Sequence, residues 1–209
     1  MNQATGFDYK NDAPGGAQGY VVPCLLDLLR KSGISGKILD IGCGNGSMAR
    51  SLEASGHEVW GCEWDPAGVE IANRAKPGRF MRWDLNDPQE KFPWSEFQAV
   101  ISSEVIEHLF LPQNLFRLVS RVLVPGGLVI VTTPYHGYLK NLAICLAGKW
   151  DRHHDVSHNG GHIKFFSPKS LKKMMVEEGI VFENWKGCGR LPLLWKSMVM
   201  WGKKSPLPK

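Results

Sequence analysis

Apolar residues change period along the chain, and the changes mark out its elements. Val21, Val22, Leu25, Leu28 and Leu29 recur at helical spacing over residues 21–31, with Gly33 as the stop. Residues 37–41 follow as a short apolar strand running into Gly42, and residues 47–55 return to a helical pattern closed by Gly56. The alternation continues with a strand over 57–62, a helix over 66–75 and strands over 80–83 and 97–102. A helix over 113–123 then carries the stripe Leu115, Phe116, Leu118, Val119, Val122 and Leu123. Pro125-Gly126-Gly127 predicts a turn into a fifth strand over 128–133. A long insert, residues 135–164, precedes a helix over 168–178, and residues 181–185 and 195–201 predict a closing pair of strands.

Strands that are apolar nearly throughout, in βαβ order, imply a mostly parallel sheet covered by helices on both faces. The expected fold is therefore α/β, a doubly wound three-layer sandwich with ligands at the carboxyl ends of its strands. A length of 209 residues with 43% apolar and 22% charged side chains fits one domain over 1–209, carrying the insert as a substrate-side addition. The five cysteines lack a C-x-x-C pair, which disfavours a disulfide framework or a zinc ribbon. With no basic-then-apolar opening segment and no apolar run near about 18 residues, the expected location is cytoplasmic. Charge sharpens this picture: residues 1–163 carry 15 basic and 17 acidic groups, whereas the last 46 carry 10 and 3. A basic end of this kind suits an anionic partner, such as a phosphate-bearing substrate or a membrane face, better than a nucleic-acid coat.

The chemistry concentrates at strand ends. In Asp40-Ile41-Gly42-Cys43-Gly44-Asn45-Gly46 the glycines let the chain turn tightly and let a ligand approach closely. The spacing is not that of a dinucleotide loop, because Ser47 takes the last position and Asp40 would repel a pyrophosphate. A carboxylate there suits a cationic amino-acid tail. Glu63 ends the second strand, where it can accept both hydroxyls of a ribose, and Trp64 beside it can cover a flat base. Asp84 ends the third, where a carboxylate can accept from an exocyclic amine. The three acids together describe a ligand with a cationic end, a ribose and an adenine.

These residues, with Ser103-Glu104-Val105-Ile106-Glu107-His108-Leu109 and Leu123-Val124-Pro125-Gly126-Gly127, resemble the successive motifs of class I S-adenosylmethionine-dependent methyltransferases over residues 20 to 201. The resemblance implies a seven-stranded sheet whose last strand is antiparallel, with S-adenosylmethionine over the glycine loop. Asp40, Gly42, Cys43, Gly44, Asn45 and Gly46 would hold the methionine part, Glu63 the ribose, and Asp84 with Leu85 the adenine; Trp64 and Ser103 complete the expected donor site. Within the family the chain is similar to the branch that includes ubiquinone-biosynthesis O-methyltransferases, through Glu104 to Leu109 and through Gly160-Gly161-His162-Ile163-Lys164-Phe165-Phe166-Ser167-Pro168. It departs from that branch at Thr133-Pro134-Tyr135-His136-Gly137-Tyr138.

Ser102-Ser103-Glu104-Val105 is unlike the Asp/Asn-Pro-Pro-aromatic turn of base amino-methylating enzymes, so a small-molecule acceptor and O-methylation are expected. An RNA or protein methyltransferase, a donor-binding protein without turnover, and a nicotinamide dehydrogenase are the alternatives. A hydroxyl acceptor must lose a proton, and the insert region holds five histidines: His136, His153, His154, His158 and His162. His162 is the first candidate base, with His136 and Glu104 as further catalytic candidates. Glu104, Glu107 and His108, at i, i+3 and i+4, would share one face if the chain turns helical there, and they would suit a divalent cation. His153, His154, Asp155 and His158 are a second possible cluster. Leu139, Leu142, Ala143, Ile144, Leu146 and Ala147 predict an apolar helix, either a lid over an apolar acceptor or a core helix. An exposed lid beside Lys196, Lys203 and Lys204 would suit a weak peripheral membrane contact.

Overall fold

A computed structural model describes residues 9–86, 91–154 and 161–206. Seven strands form one sheet: β1 (Lys37–Ile41), β2 (Glu58–Glu63), β3 (Phe80–Arg82), β4 (Phe97–Ser103), β5 (Leu123–Pro134), β6 (Ile180–Cys188) and β7 (Ser197–Lys204), in the order β3-β2-β1-β4-β5-β7-β6. The pairs β3/β2, β2/β1, β1/β4 and β4/β5 are parallel, while β7 runs antiparallel to both β5 and β6. Helices α1 (Gln18–Lys31), α2 (Ser47–Glu53), α3 (Pro66–Ala75), α4 (Gln113–Val122) and α7 (Pro168–Glu177) pack on the sheet, and α5 (Tyr138–Leu146) and α6 (Trp150–His153) form the insert.

The apolar runs are explained by two cores, one on each face of the sheet. Leu39 and Ile41 of β1, Val100 of β4, Val129 and Val131 of β5, and Met198 and Met200 of β7 point into the core shared with α4 and α7. Their neighbours Ile38, Ala99, Ile101, Leu128, Ile130 and Val199 point into the core shared with α1 and α2. A period of two with both phases buried leaves no polar phase to read. The chain winds outward from β1 to β3 and then crosses to β4, so the switch point where ligands bind in such sheets lies at the carboxyl ends of β1 and β4.

Two expectations are corrected. Pro125-Gly126-Gly127 does not end a helix and start a strand; it lies inside β5, where Gly126 takes φ +76° and the register against β4 shifts between Phe97 and Ala99. The turn residues are absorbed as an irregularity in the ladder. The last strand begins at Ser197 rather than at 195; Trp195, ahead of it, packs edge-on against Tyr135 (5.1 Å) and Trp185 (5.8 Å).

Candidate functional site

The glycine loop leaves β1 through backbone bonds from the Gly42 and Cys43 N–H groups to the Cys62 carbonyl (2.8 and 3.1 Å). Gly42, Gly44 and Gly46 all have positive φ. A Cβ at Gly42 would stand 2.3 Å from Val105 Cγ2, so the turn after β4 closes directly on the loop. Glu63, buried at the end of β2, accepts from the Gly44 N–H through Oε2 and from the Asp65 N–H through Oε1, both at 3.0 Å. Asp40 is fully buried, and neither carboxylate oxygen accepts a hydrogen bond among the described residues. Desolvation, then the Glu63 charge, pushes its pKa up to about 8. The same causes in the same order, with Asp40 and Glu63 as the charges, raise the buried Cys43 thiol. A buried acid without partners awaits a cationic hydrogen-bond donor, and an amino-acid ammonium supplies both the charge and the protons. The residues present thus fit the expected cofactor.

Not every expected donor residue is drawn in. Asp40, the 42–46 loop and Glu63 come together, whereas Asp84 is exposed beyond β3, its Oδ1 accepting from the Asn86 N–H at 2.8 Å. Leu85 beside it is buried, and its carbonyl accepts from Asn114 Nδ2 at 2.7 Å. Trp64 is half-buried, with its carbonyl accepting from Arg82 Nε at 3.1 Å. Asn45 reaches away from the sheet, donating to the carbonyls of Asn11 and Ala13, both at 2.8 Å.

The chain after β4 does not become an α-helix, so the expected shared face of Glu104, Glu107 and His108 is corrected. Glu104 takes φ +57°, and Ile106–His108 is a single 3₁₀ turn. A non-glycine residue in this region costs on the order of 1–3 kcal/mol, and here the side chain's bonds hold it. Thr132 Oγ1 donates to Glu104 Oε1 (2.8 Å) and Ser197 Oγ to Oε2 (3.0 Å), while Ser103 Oγ lies 3.0 Å from Thr132 Oγ1. Glu104 is thereby turned toward β5 and β7.

Glu107 points elsewhere. Thr133 Oγ1 donates to its Oε2 at 3.0 Å; its Oε1 is buried, accepts no hydrogen bond among the described residues, and faces His108 Nε2 at 3.9 Å and His162 Nε2 at 4.0 Å. Burial, then the nearby Glu104 charge, raises the Glu107 carboxyl well above its ordinary value. His108 Nδ1 donates to the Gly161 carbonyl at 3.1 Å, which assigns the lone pair of its neutral form to Nε2. The Ile163 and Lys164 N–H groups bond the Glu107 carbonyl, both at 3.0 Å, and this stitches the insert's end to the turn. Glu107, His108 and His162 each offer an atom within 4.8 Å of the others, a set that can share protons or hold a divalent cation.

His136 belongs to a different group: its ring lies 4.8 Å from Phe165 and 5.7 Å from His154, and desolvation followed by the Lys140 charge lowers its pKa to about 4. In the second expected cluster, Asp155 and His158 lie outside the described residues, and the His154 ring instead lies tilted against Trp150, centroids 4.1 Å apart. The helix α5 is no core element, for none of its residues is buried; Tyr138 and Leu146 are 79% and 80% exposed. The three lysines expected beside it are split: Lys196, whose carbonyl accepts from the Tyr135 N–H at 2.9 Å, lies at the insert end of β7, whereas Lys203, which pairs with Leu128, and Lys204 sit at the opposite end. Thr132, Thr133 and Ser197 were not foreseen as site residues, since a hydroxyl inside an apolar strand has no spacing signal.

A methyltransferase-domain family matches residues 17–184 of this chain. The chain belongs to that family. The methyltransferase is 25% identical over 178 residues to the ubiquinone biosynthesis O-methyltransferase of Aeromonas salmonicida, covering 82% of this chain and 75% of the relative. To the Mus musculus mitochondrial protein of the same name it is 29% identical over 161 residues, 72% of this chain and 43% of that one. Its fold matches a magnesium protoporphyrin IX methyltransferase from Synechocystis solved with bound S-adenosylhomocysteine (TM-score 0.66, 17% identity, 88% and 82% of the chains). It also matches a [4+2]-cyclase (TM-score 0.62, 17% identity, 87% and 81%). The fold class and the family expected from the sequence therefore stand: this is a class I S-adenosylmethionine-dependent methyltransferase. Among the described residues no helix is long and apolar enough to cross a membrane.

Proposed function

We infer that this methyltransferase methylates a hydroxyl of a small, largely apolar acceptor, and that His162 with Glu107 takes the proton. The observation that carries this reading is the buried Glu107 Oε1 facing two imidazole nitrogens near 4 Å. When bound, S-adenosylmethionine supplies an electrophilic methyl on a sulfonium, so the chain's work is to position the acceptor and remove its proton. Asp40 and the 42–46 loop hold the donor's amino-acid end, and Glu63 its ribose. His162, 42% exposed at the side chain, is open enough to reach an acceptor hydroxyl, and Glu107 stabilises the imidazolium that forms. The exposed apolar side of α5 suits an acceptor with little polar surface.

Labelled S-adenosylmethionine offered with phenols, sugars, amines and RNA tests the reading. Methyl transfer to a phenol is the expected result, and transfer to RNA or to amines alone would contradict it. A cation held by Glu107, His108 and His162 is the second reading of the same cluster, favoured by the unsatisfied Oε1; a cation there would supply Lewis-acid charge for an ionised hydroxyl. Turnover abolished by a chelator and restored by magnesium or manganese supports it, and turnover indifferent to the chelator removes it.

A further inference from the structure

The amino-terminal segment crosses the mouth of the donor site, and four contacts pin it there. Asn45 Nδ2 donates to the Asn11 and Ala13 carbonyls at 2.8 Å each, while its Oδ1 accepts from the Ser47 N–H at 3.1 Å. Arg50 donates to the Asp12 carbonyl and to the Asn45 carbonyl, the latter at 3.0 Å. Gln18 Nε2 donates to Ser47 Oγ at 2.6 Å. Through these bonds residues 11–18 are tied to the loop and first turn of helix that follow β1.

Tyr9 is laid on the loop itself. Its hydroxyl stands 2.6 Å from where a Cβ on Gly44 would be, and its Cδ2 stands 3.1 Å from the corresponding point on Gly68, in the first turn of α3. The ring therefore rests between the glycine loop and the helix that starts beside Glu63, on the surface the donor must use. Burial, then the charge of Glu63, Cys43, Asp65 and Asp40, holds the phenol proton on far above its usual range. Such a hydroxyl is a hydrogen-bond donor at every working pH. At Gly15 and Gly16, just before α1, a Cβ would meet nothing within 4 Å, and the Gly15 carbonyl accepts from the Gln18 N–H at 3.0 Å; two successive glycines there give the chain the conformational freedom a hinge requires.

We propose that residues 9–14 are a strap that clamps the bound methyl donor against the glycine loop, with the Tyr9 hydroxyl donating to an oxygen of the donor and the Asn45 and Arg50 bonds holding the strap shut. It rests on the reading that this loop binds S-adenosylmethionine. The donor enters when the strap swings about Gly15 and Gly16, and it is retained when Asn45 and Arg50 recapture the 11–13 carbonyls. Tyr9 is accordingly a donor-binding residue, and Arg50 is a positioning residue that acts through the strap.

Chase release of labelled S-adenosylhomocysteine from the wild type, Tyr9→Phe, Tyr9→Ala and Arg50→Gln tests the strap, with hydrogen exchange of residues 9–17 measured in each. Release should quicken at least about tenfold in Tyr9→Ala and by a smaller factor in Tyr9→Phe, which keeps the ring and loses one neutral hydrogen bond. Arg50→Gln should also release faster although Tyr9 is intact, and the protection that the ligand gives residues 9–17 of the wild type should shrink. Thermal melts identify any variant that fails to fold, and Tyr9→Phe then carries the test. Equal release from all four proteins, without protection of the segment, overturns the strap and leaves the donor site standing. A folded wild type that binds no S-adenosylhomocysteine overturns both.

Discussion

The carboxyl ends of β1 and β2 and the carboxyl ends of β4 and β5 are built by different means. At the first, short loops bring two buried acids to fixed places: Asp40 has no hydrogen-bond partner among the described residues, and Glu63 is held by two backbone N–H groups. At the second, Glu104 and Glu107 are steered by hydroxyls from β5 and β7, and His162 arrives from an insert whose helix α5 has no fully buried residue. The first end is made by local chain geometry and, on the proposed reading, serves the methyl donor common to the family. The second depends on long-range contacts and on the insert, where, on the proposed reading, a particular acceptor is recognised. Substitutions should therefore sort into two classes, one that moves donor binding and one that moves turnover.

The largest separation is expected at His162. Replacing it with alanine should lower the methyl-transfer rate by about 10²–10⁴-fold, the range of a lost general base, and leave S-adenosylhomocysteine affinity within about twofold. A matching loss of affinity would merge the two ends and break the comparison.

Asp40→Asn should do the reverse, weakening donor binding by about 100-fold. It should also stabilise the ligand-free protein, and the sign follows from the raised pKa. An unfolded aspartate ionises near 3.8 and the folded one near 8, so the folded state holds the extra proton between these values. Stability from this group is full below about pH 4 and is lost as pH rises toward 8. At pH 8 the neutral isostere should melt at least about 2 °C higher, and the difference should vanish near pH 4. A lower melting temperature at both pH values would mean that the buried carboxylate is already satisfied.

Gly42→Ala comes next. Its new methyl would meet Val105 Cγ2 at 2.3 Å on a backbone with φ +76°, a cost of about 1–3 kcal/mol in stability. Val105→Ala in the same chain should recover the steric part and leave the conformational part, which denaturant unfolding of the pair can read. The smallest effect belongs to α5: Leu146→Asp should raise the acceptor KM several-fold while shifting stability by less than about 0.5 kcal/mol, because the side chain is 80% exposed. A large stability loss there would make α5 a packed element after all.

The same contrast explains what could be read in advance. Both phases of β1, β4 and β5 are apolar, so the parallel sheet was visible as apolar runs, and Asp40, the glycines and Glu63 stand out because they interrupt those runs at their ends. The absorbed turn at Pro125-Gly126-Gly127 was hidden because turn residues say where the chain bends, not whether its neighbour strand still pairs there. Glu107 facing His162 was hidden for a different reason. The two are brought together by a 3₁₀ turn and by the Ile163 and Lys164 amides bonding the Glu107 carbonyl, contacts set by tertiary folding and not by spacing. Tyr9 gave only an isolated aromatic in a glycine-rich stretch, with no period from which to infer that it lies on Gly44.

Calorimetric titration with S-adenosylhomocysteine of the wild type, Glu63→Gln and His162→Ala, side by side, tests the division most directly. Micromolar binding by the wild type, about −8 kcal/mol, that weakens at least tenfold in Glu63→Gln and stays unchanged in His162→Ala is the predicted result. Equal loss in both variants, or no binding by a folded wild type, would contradict it.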